Sequence, residues 1–299
     1  MLKVNIFDMR IHDLIDVDQE LVTITSGYNF TEGPIWDSKR KVFIFSDIPE
    51  SKLWQWSEKE GATLLKAETN KGNGNCFDHL GRIISCEGTT SRVVRMEPDM
   101  TNYEILASHY QGKQLNSPND VVVGSNGMIY FTDPQFGRRP TRAGLGRPQE
   151  LDFQGVYMLN PDSKDLTLAT DEVANPNGLC FTADEKSMIV ADSPRDLLYI
   201  FDVQSDGKLG NKRVFAHDVP QGEGKPDGVK IDVEGNVWIT GPGGIQVFDK
   251  FGSVLATFLM PGRSGNICFG GDDMMTLFIC AESEICTLRV KVPGMKLKW

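Results

Sequence analysis

Histidine is scarce in this sequence and its cysteines form no motif, which removes the commonest protein sites for soft metals and thiol chemistry. The four histidines, His12, His79, His109 and His217, are scattered without ligand or triad spacing, so a zinc site built on them is not expected. Six cysteines in 299 residues are too sparse for a disulfide scaffold, and no CxxC pair occurs. Cys76, Cys86, Cys180, Cys268 and Cys280 lie in or beside apolar runs and read as small buried hydrophobes. No stretch approaches the length of about 18 apolar residues that a membrane helix needs, and MLKVNIFDMRIHDL lacks the apolar core of a signal peptide. These readings point to a cytoplasmic protein with no membrane partner. Positive charge is also in short supply: Lys and Arg number 31 against 41 Asp and Glu, a net charge of −10. Nucleic-acid phosphates would be repelled, so cations and small molecules are the expected partners, with the chain a monomer or homodimer.

Helical periodicity is weak everywhere, and what replaces it is a repeat. Six copies of one pattern read EGPIWDSKRKVFIFSD from Glu32, NGNCFDHLGRIISCE from Asn73, NDVVVGSNGMIYFTD from Asn119, NGLCFTADEKSMIVAD from Asn177, DGVKIDVEGNVWITG from Asp227 and GNICFGGDDMMTLFICA from Gly265. Each has a polar or small start, a short apolar run, a turn rich in Gly, Asp, Asn or Lys, and a second apolar run, which is the signature of a β-hairpin. The residue four places after each start is apolar in every copy: Trp36, Phe77, Val123, Phe181, Ile231 and Phe269. The starts lie 41, 46, 58, 50 and 38 residues apart, leaving room for two further strands per unit. Such strands are visible at residues 53–56 and 62–66, 156–159 and 167–170, 198–202 and 213–216, and 245–249 and 254–258. The spacing predicts an all-β fold: one six-bladed β-propeller domain over residues 1–299, with four antiparallel strands per blade. Residues 21–25 would pair with the last blade and close the ring, removing open sheet edges.

Because the first strand of each propeller blade lines the central channel, Glu32, Asn73, Asn119, Asn177, Asp227 and Gly265 should converge. Five carry a side-chain oxygen. Carboxylates and amides gathered there would repel or stay unsatisfied without a cation. Each Asn or Asp alone suits a turn before a strand, but Glu32, a poor turn former, shares the register. One divalent cation held by Glu32, Asn119, Asn177 and Asp227 is therefore expected, with Gly265 and Asn73 outside the ligand set. Calcium suits so many oxygen ligands best, with magnesium, manganese, iron(II) or zinc as alternatives. The second strands end in Asp47, Glu87, Asp133 and Asp192, read either as residues orienting ligands or substrate, or as acids in solvated turns. The loop at 134–151, rich in Gly, Pro and Arg, is a lid or a solvated crossover; its four arginines, Arg138, Arg139, Arg142 and Arg147, suit a hydroxylated or anionic substrate. Asn119, Glu87, Asp133, Gln135 and Phe136 are the expected substrate contacts.

The phrases TEGPIW, LNSPNDVVV, YFTDP, ELDFQGVY, NPNGLCF, PDGVKIDVEGNVW and NICFGG together resemble the senescence marker protein 30/gluconolactonase/luciferin-regenerating family, closest in style to bacterial gluconolactonase-like members. The likeness runs from about Val22 to Leu288. It implies a six-bladed propeller with a calcium, zinc or other divalent ion at the channel mouth, and in many members a sugar lactonase. It also implies Glu32, Asn177 and Asp227 as ligands, Asn119 as ligand or substrate contact, and Asp227 as the base that activates water. Two positions depart from the pattern: Ser117 stands where some relatives have Arg, and Gly88 where many bacterial relatives have His. The expected reaction is metal-assisted opening of a small lactone such as gluconolactone. Its rivals are hydrolysis of an organophosphate or fluorophosphate at the same metal, and a non-catalytic binding scaffold.

Overall fold

A computed structural model describes residues 2–217 and 222–296. Six antiparallel sheets follow one another around a central channel as the blades of a propeller, as the repeat predicts. Blade one comprises Thr31–Asp37, Val42–Asp47, Lys52–Ser57 and Gly61–Ala67. Blade two begins with Gly72–Phe77, blade three with Val121–Val123, blade four with Pro176–Phe181, blade five with Val229–Ile231 and blade six with Ser264–Gly270. The strand Val22–Ser26 completes blade six by pairing with Glu284–Arg289, so both ends of the chain contribute to one sheet. Two elements exceed the sequence expectation. Lys3–Ile6 adds a fifth strand to blade five along Val254–Leu259, and a small hairpin, His109–Tyr110 with Lys113–Gln114, stands between blades two and three.

The second strands explain why the repeat is so apolar. Ile83–Glu87, Ile129–Asp133 and Val237–Gly241 are buried at every position, because each face of a blade packs against a neighbouring blade. Phe43, Phe131, Trp238 and Phe278 fill the seams, and Phe43 stacks on Phe278 at 4.5 Å between blades one and six. All six cysteines are buried and free of disulfides, including the five that the sequence places in or beside apolar runs.

At the channel the regular ladder breaks. Register shifts fall at Glu32/Ile35, Gly72/Asn75, Pro176/Leu179 and Ser264/Asn266. In blades three and five the strand starts only two residues after Asn119 and Asp227. Bulges of this kind bend the strand and re-aim a side chain, and here they bring the inner strands close enough to bond across blades. Gly178 N–H donates to the Asp227 carbonyl at 3.0 Å, and Gly228 N–H to the Gly265 carbonyl at 3.1 Å. A Cβ at Gly178 would lie 2.2 Å from that Asp227 oxygen, and one at Gly228 would lie 2.0 Å from Asn266 Oδ1. The glycine that follows most ring residues is thus a condition for assembling the ring.

Candidate active site

Glu32, Asn177 and Asp227 are almost wholly buried, with 3%, 4% and 5% of their surfaces exposed, and they come together although 195 positions separate the first from the last. Burial, then the charge of Asp227, pushes the Glu32 carboxyl well above the usual carboxylate range. Burial also raises Asp227 to about 6, opposed by Arg263 and by a hydrogen bond from the Asn177 amide. Asn177 donates as well to Ser193 Oγ at 3.0 Å, and its Oδ1 is left buried without a hydrogen-bond partner. Asn119 holds its place through its backbone, donating to the Thr132 carbonyl and accepting from Gly74 N–H. Asn73, set aside in the sequence reading, stands in the same ring, its carbonyl accepting from Ser46 and Asn75.

Three charged neighbours escaped the sequence reading. Asp120 lies one residue below the ring, where the other copies carry Gly or Asn, and its charge raises both Glu32 and Asp227. Its Oδ2 is buried without a hydrogen bond, 3.8 Å from Lys230 Nζ. Lys230 also donates to Asn266 Oδ1 at 3.3 Å. From the entry to blade six, Arg263 Nη2 reaches Asp227 Oδ2 at 3.0 Å. Three carboxylates therefore meet two cationic side chains, and among the described residues none makes an ion pair with Glu32. Among the described residues no three of His, Cys, Asp and Glu are close enough to hold a metal between them, so any cation held here would need amide oxygens in addition to the carboxylates.

The acids that end the second strands are clasps. Asp133 is fully buried, one oxygen accepting from Asn116 N–H at 2.7 Å and the other from Ser117 N–H at 2.8 Å. Asp47 receives the N–H groups of Asn29 and Phe30, and Asp192 that of Ala174. Each thus grips the segment two or three residues ahead of its blade's ring residue. Glu87, one carbon longer, takes the Asn70 side chain at 3.1 Å and the Tyr103 hydroxyl at 2.8 Å. Asp133 and Glu87, expected from the sequence to touch substrate, are held by these partners of their own chain and position the ring. Burial raises Asp133 to about 7 against the pull of its two N–H donors. Asp133→Asn turns one acceptor into a donor facing an N–H, and is expected to cost about 1–3 kcal/mol, read as a lower denaturant midpoint.

The 134–151 loop is an ordered strap. Arg138 is buried and bonds the carbonyls of Asn116, Leu115 and Pro148, while Arg147 bonds Gly88 O and Ser91 Oγ. Those two arginines hold the loop down. Beyond them Arg142 reaches Glu282 at 2.7 Å and the Asn29 carbonyl at 3.2 Å, so the loop runs from blade three past blade two to the seam of blades one and six. Gln135 and Phe136, at its start, are partly exposed; Gln135 N–H donates to Asn175 Oδ1 at 3.2 Å.

A cavity of about 330 Å³ lies at the other end of the channel, lined by Trp36, Phe77, Phe181 and Phe269 with Cys76, Cys180 and Cys268. Burial pushes the Cys180 and Cys268 thiols up to about 12. Thiols held protonated in this way are poor nucleophiles and poor ligands, which directs attention back to the ring.

The profile of the SMP-30/Gluconolactonase/LRE-like region matches residues 30–283. This chain belongs to that family. It is 29% identical to a gluconolactonase of Zymomonas mobilis over 98% of this chain and 87% of that one. A solved gluconolactonase structure from Xanthomonas campestris superposes with a TM-score of 0.89 at 32% identity, covering 96% of this chain and 94% of that one. The calcium-binding protein regucalcin from Agrobacterium tumefaciens, at 17% identity, shares the fold with a TM-score of 0.75 over 91% and 93% of the two chains. Both positions that depart from the family pattern lie against the strap, Ser117 through its side chain and Gly88 through its backbone. Ser117 Oγ accepts from Gly137 N–H and donates to the Pro134 carbonyl, and the Gly88 carbonyl receives Arg147.

Proposed function

We propose that this chain hydrolyses a small sugar lactone of the aldonolactone class at the channel mouth, with one divalent cation held by Glu32, Asn119, Asn177 and Asp227. The observation that carries the reading is the pairing of two mutually repelling buried carboxylates with an amide oxygen, Asn177 Oδ1, that has nothing to accept from. A cation answers both demands, and an all-oxygen donor set suits calcium. Lactonase names among the relatives favour a carbonyl substrate over a phosphorus ester. Among the described residues no helix is long and apolar enough to cross a membrane, and the channel mouth is polar, as a sugar substrate requires.

A bound divalent cation supplies Lewis acidity to the carbonyl and acidifies water near it. The rest is the work of the chain. Asp227 takes a proton from water as its oxygen attacks the carbonyl carbon, and the proton passes to the ring oxygen as the ester C–O bond breaks, leaving a hydroxy acid. Asn177 is fixed by Ser193, and Ser193 by the Pro226 carbonyl at 2.6 Å, so the amide does not turn away. Asn119 completes the proposed ligand set or contacts the substrate, and Gln135 and Phe136 are the proposed substrate contacts from the strap.

Chelated protein assayed with a lactone panel and a pH indicator is expected to be inactive and to recover with an added divalent ion, calcium among the effective ones. Turnover that ignores the chelator, or no turnover of any lactone with any ion, overturns the proposal.

A further inference from the structure

The rim of the mouth is basic where the ring is acidic. Arg263 and Arg142 come from distant parts of the chain, yet both guanidinium groups lie over the Phe30 ring, at 5.1 and 4.7 Å from its centroid. Arg263 spends one donor on Asp227 and keeps 43% of its side chain exposed. Arg142 spends its contacts on Glu282 and Asn29 and is 48% exposed. A guanidinium has five N–H donors in a planar fork, so donors remain on both groups beside the carboxylate at the centre of the site. Lys71 joins them on the strap side, its ammonium bonded to the Arg142 and Pro49 carbonyls.

The charges give these groups a direction. Glu32, Asp120, Asp227 and Glu282 oppose Lys230, Arg142 and Arg263, which leaves one negative charge; a divalent cation turns that into one positive charge without counting Lys71. Stacking on an aromatic face holds a guanidinium in place while its edge stays free for a planar, two-point contact. Carboxylate, phosphate and sulfonate groups offer that contact, whereas a sugar hydroxyl offers only a single acceptor.

We infer that Arg263, assisted by Arg142, recognises an oxyanion substituent on the substrate, so that the preferred lactone is an anionic sugar lactone whose charged group lies a few bonds from the reacting carbonyl.

The inference rests on the lactonase reading, and two measurements keep the failures of the two apart. The first compares 6-phosphoglucono-1,5-lactone with glucono-1,5-lactone on calcium-loaded protein. The kcat/KM ratio of anionic to neutral lactone should exceed about tenfold, and should fall by about tenfold or more in Arg263→Gln, mainly through KM, with a smaller fall in Arg142→Gln. The second is calorimetry with glucitol 6-phosphate and glucitol, neither of which has a lactone to open. The phosphate should bind the wild type and lose its advantage over glucitol in Arg263→Gln. If no lactone is turned over but this binding pattern holds, the lactonase reading fails and the anion site stands. A ratio near one in the wild type, or equal binding of glucitol 6-phosphate by wild type and Arg263→Gln, overturns the anion site whatever the turnover.

Discussion

Asp227→Asn is expected to reduce lactone turnover by about a thousandfold while leaving the propeller folded, within the range that loss of a positioned general base causes. The side chain keeps its shape but can no longer take a proton. Asp227 lies two residues before the inner strand of blade five, its N–H donating to the Thr240 carbonyl, so the backbone does not depend on the carboxylate. The ion pair with Arg263 is lost, yet that arginine is partly exposed and can return to water. Removing one charge from the buried group formed by Glu32, Asp120 and Asp227 also relieves repulsion. The variant is therefore expected to melt no lower than the wild type when both are freed of cations. Initial rates from a lactone assay, with thermal melts in chelator, check both halves. A variant that retains more than a tenth of wild-type turnover would remove Asp227 from the chemistry.

The second large effect joins cation to stability through pH. Without a cation, Asp227 in the folded chain is held at about 6 and Glu32 well above its usual range, whereas unfolded carboxyls titrate near ~4. The folded state then binds more protons than the unfolded state above pH ~4. The contribution of these two groups to stability is full below that pH and is lost as pH rises through about 6 and beyond. In chelator, the wild type should therefore lose more stability between pH 5 and pH 7 than Asp227→Asn does, a difference that cancels the titration of surface groups common to both. A divalent cation reverses the wild-type trend, since it competes with protons for the same oxygens and binds more tightly as pH rises. At about a hundredfold excess over Kd it adds about 3 kcal/mol, or about 5 °C or more in Tm. Melts over a pH series with and without calcium measure this directly. Parallel pH slopes for wild type and Asp227→Asn would show that Asp227 does not titrate where the geometry puts it.

The long loop at 134–151 shows what burial adds to a sequence pattern. Its arginines all look alike as a run of basic residues, but they divide by burial. Arg138 and Arg147 spend their donors on backbone carbonyls under the strap, whereas Arg142 reaches across to Glu282 and Asn29. Arg263 carries no sequence signal at all, because it precedes a copy whose ring residue is Gly265 and so lies in a linker that the repeat does not describe. Asp120 did carry a signal, as the one acid in a position otherwise filled by Gly or Asn. It was masked by its neighbour Asn119, which drew the reading to itself.

The second strands show the converse. The end-of-strand acids recur so regularly that a shared role was legible, yet their spacing is equally consistent with facing solvent, facing substrate or facing their own chain. The carboxylate of Asp133 reaches the N–H groups of Asn116 and Ser117 only because the segment before each inner strand folds back over the end of the second strand. That path lies in the irregular segment ahead of the inner strand, and hydrophobic periodicity does not report it.

Taken by itself, the sequence determined the six blades, their order, the closing strand from the N-terminal region and the oxygen chemistry of the ring. Each of these follows from a hairpin period of apolar and turn residues that repeats along the chain, and such a pattern is local. Tertiary structure alone decided which charges face one another: Arg263 on Asp227, Lys230 beside Asp120, Arg142 across the mouth on Glu282. Electrostatic energy depends on distances of a few ångströms between residues far apart in the chain, and those distances exist only after the ring has closed.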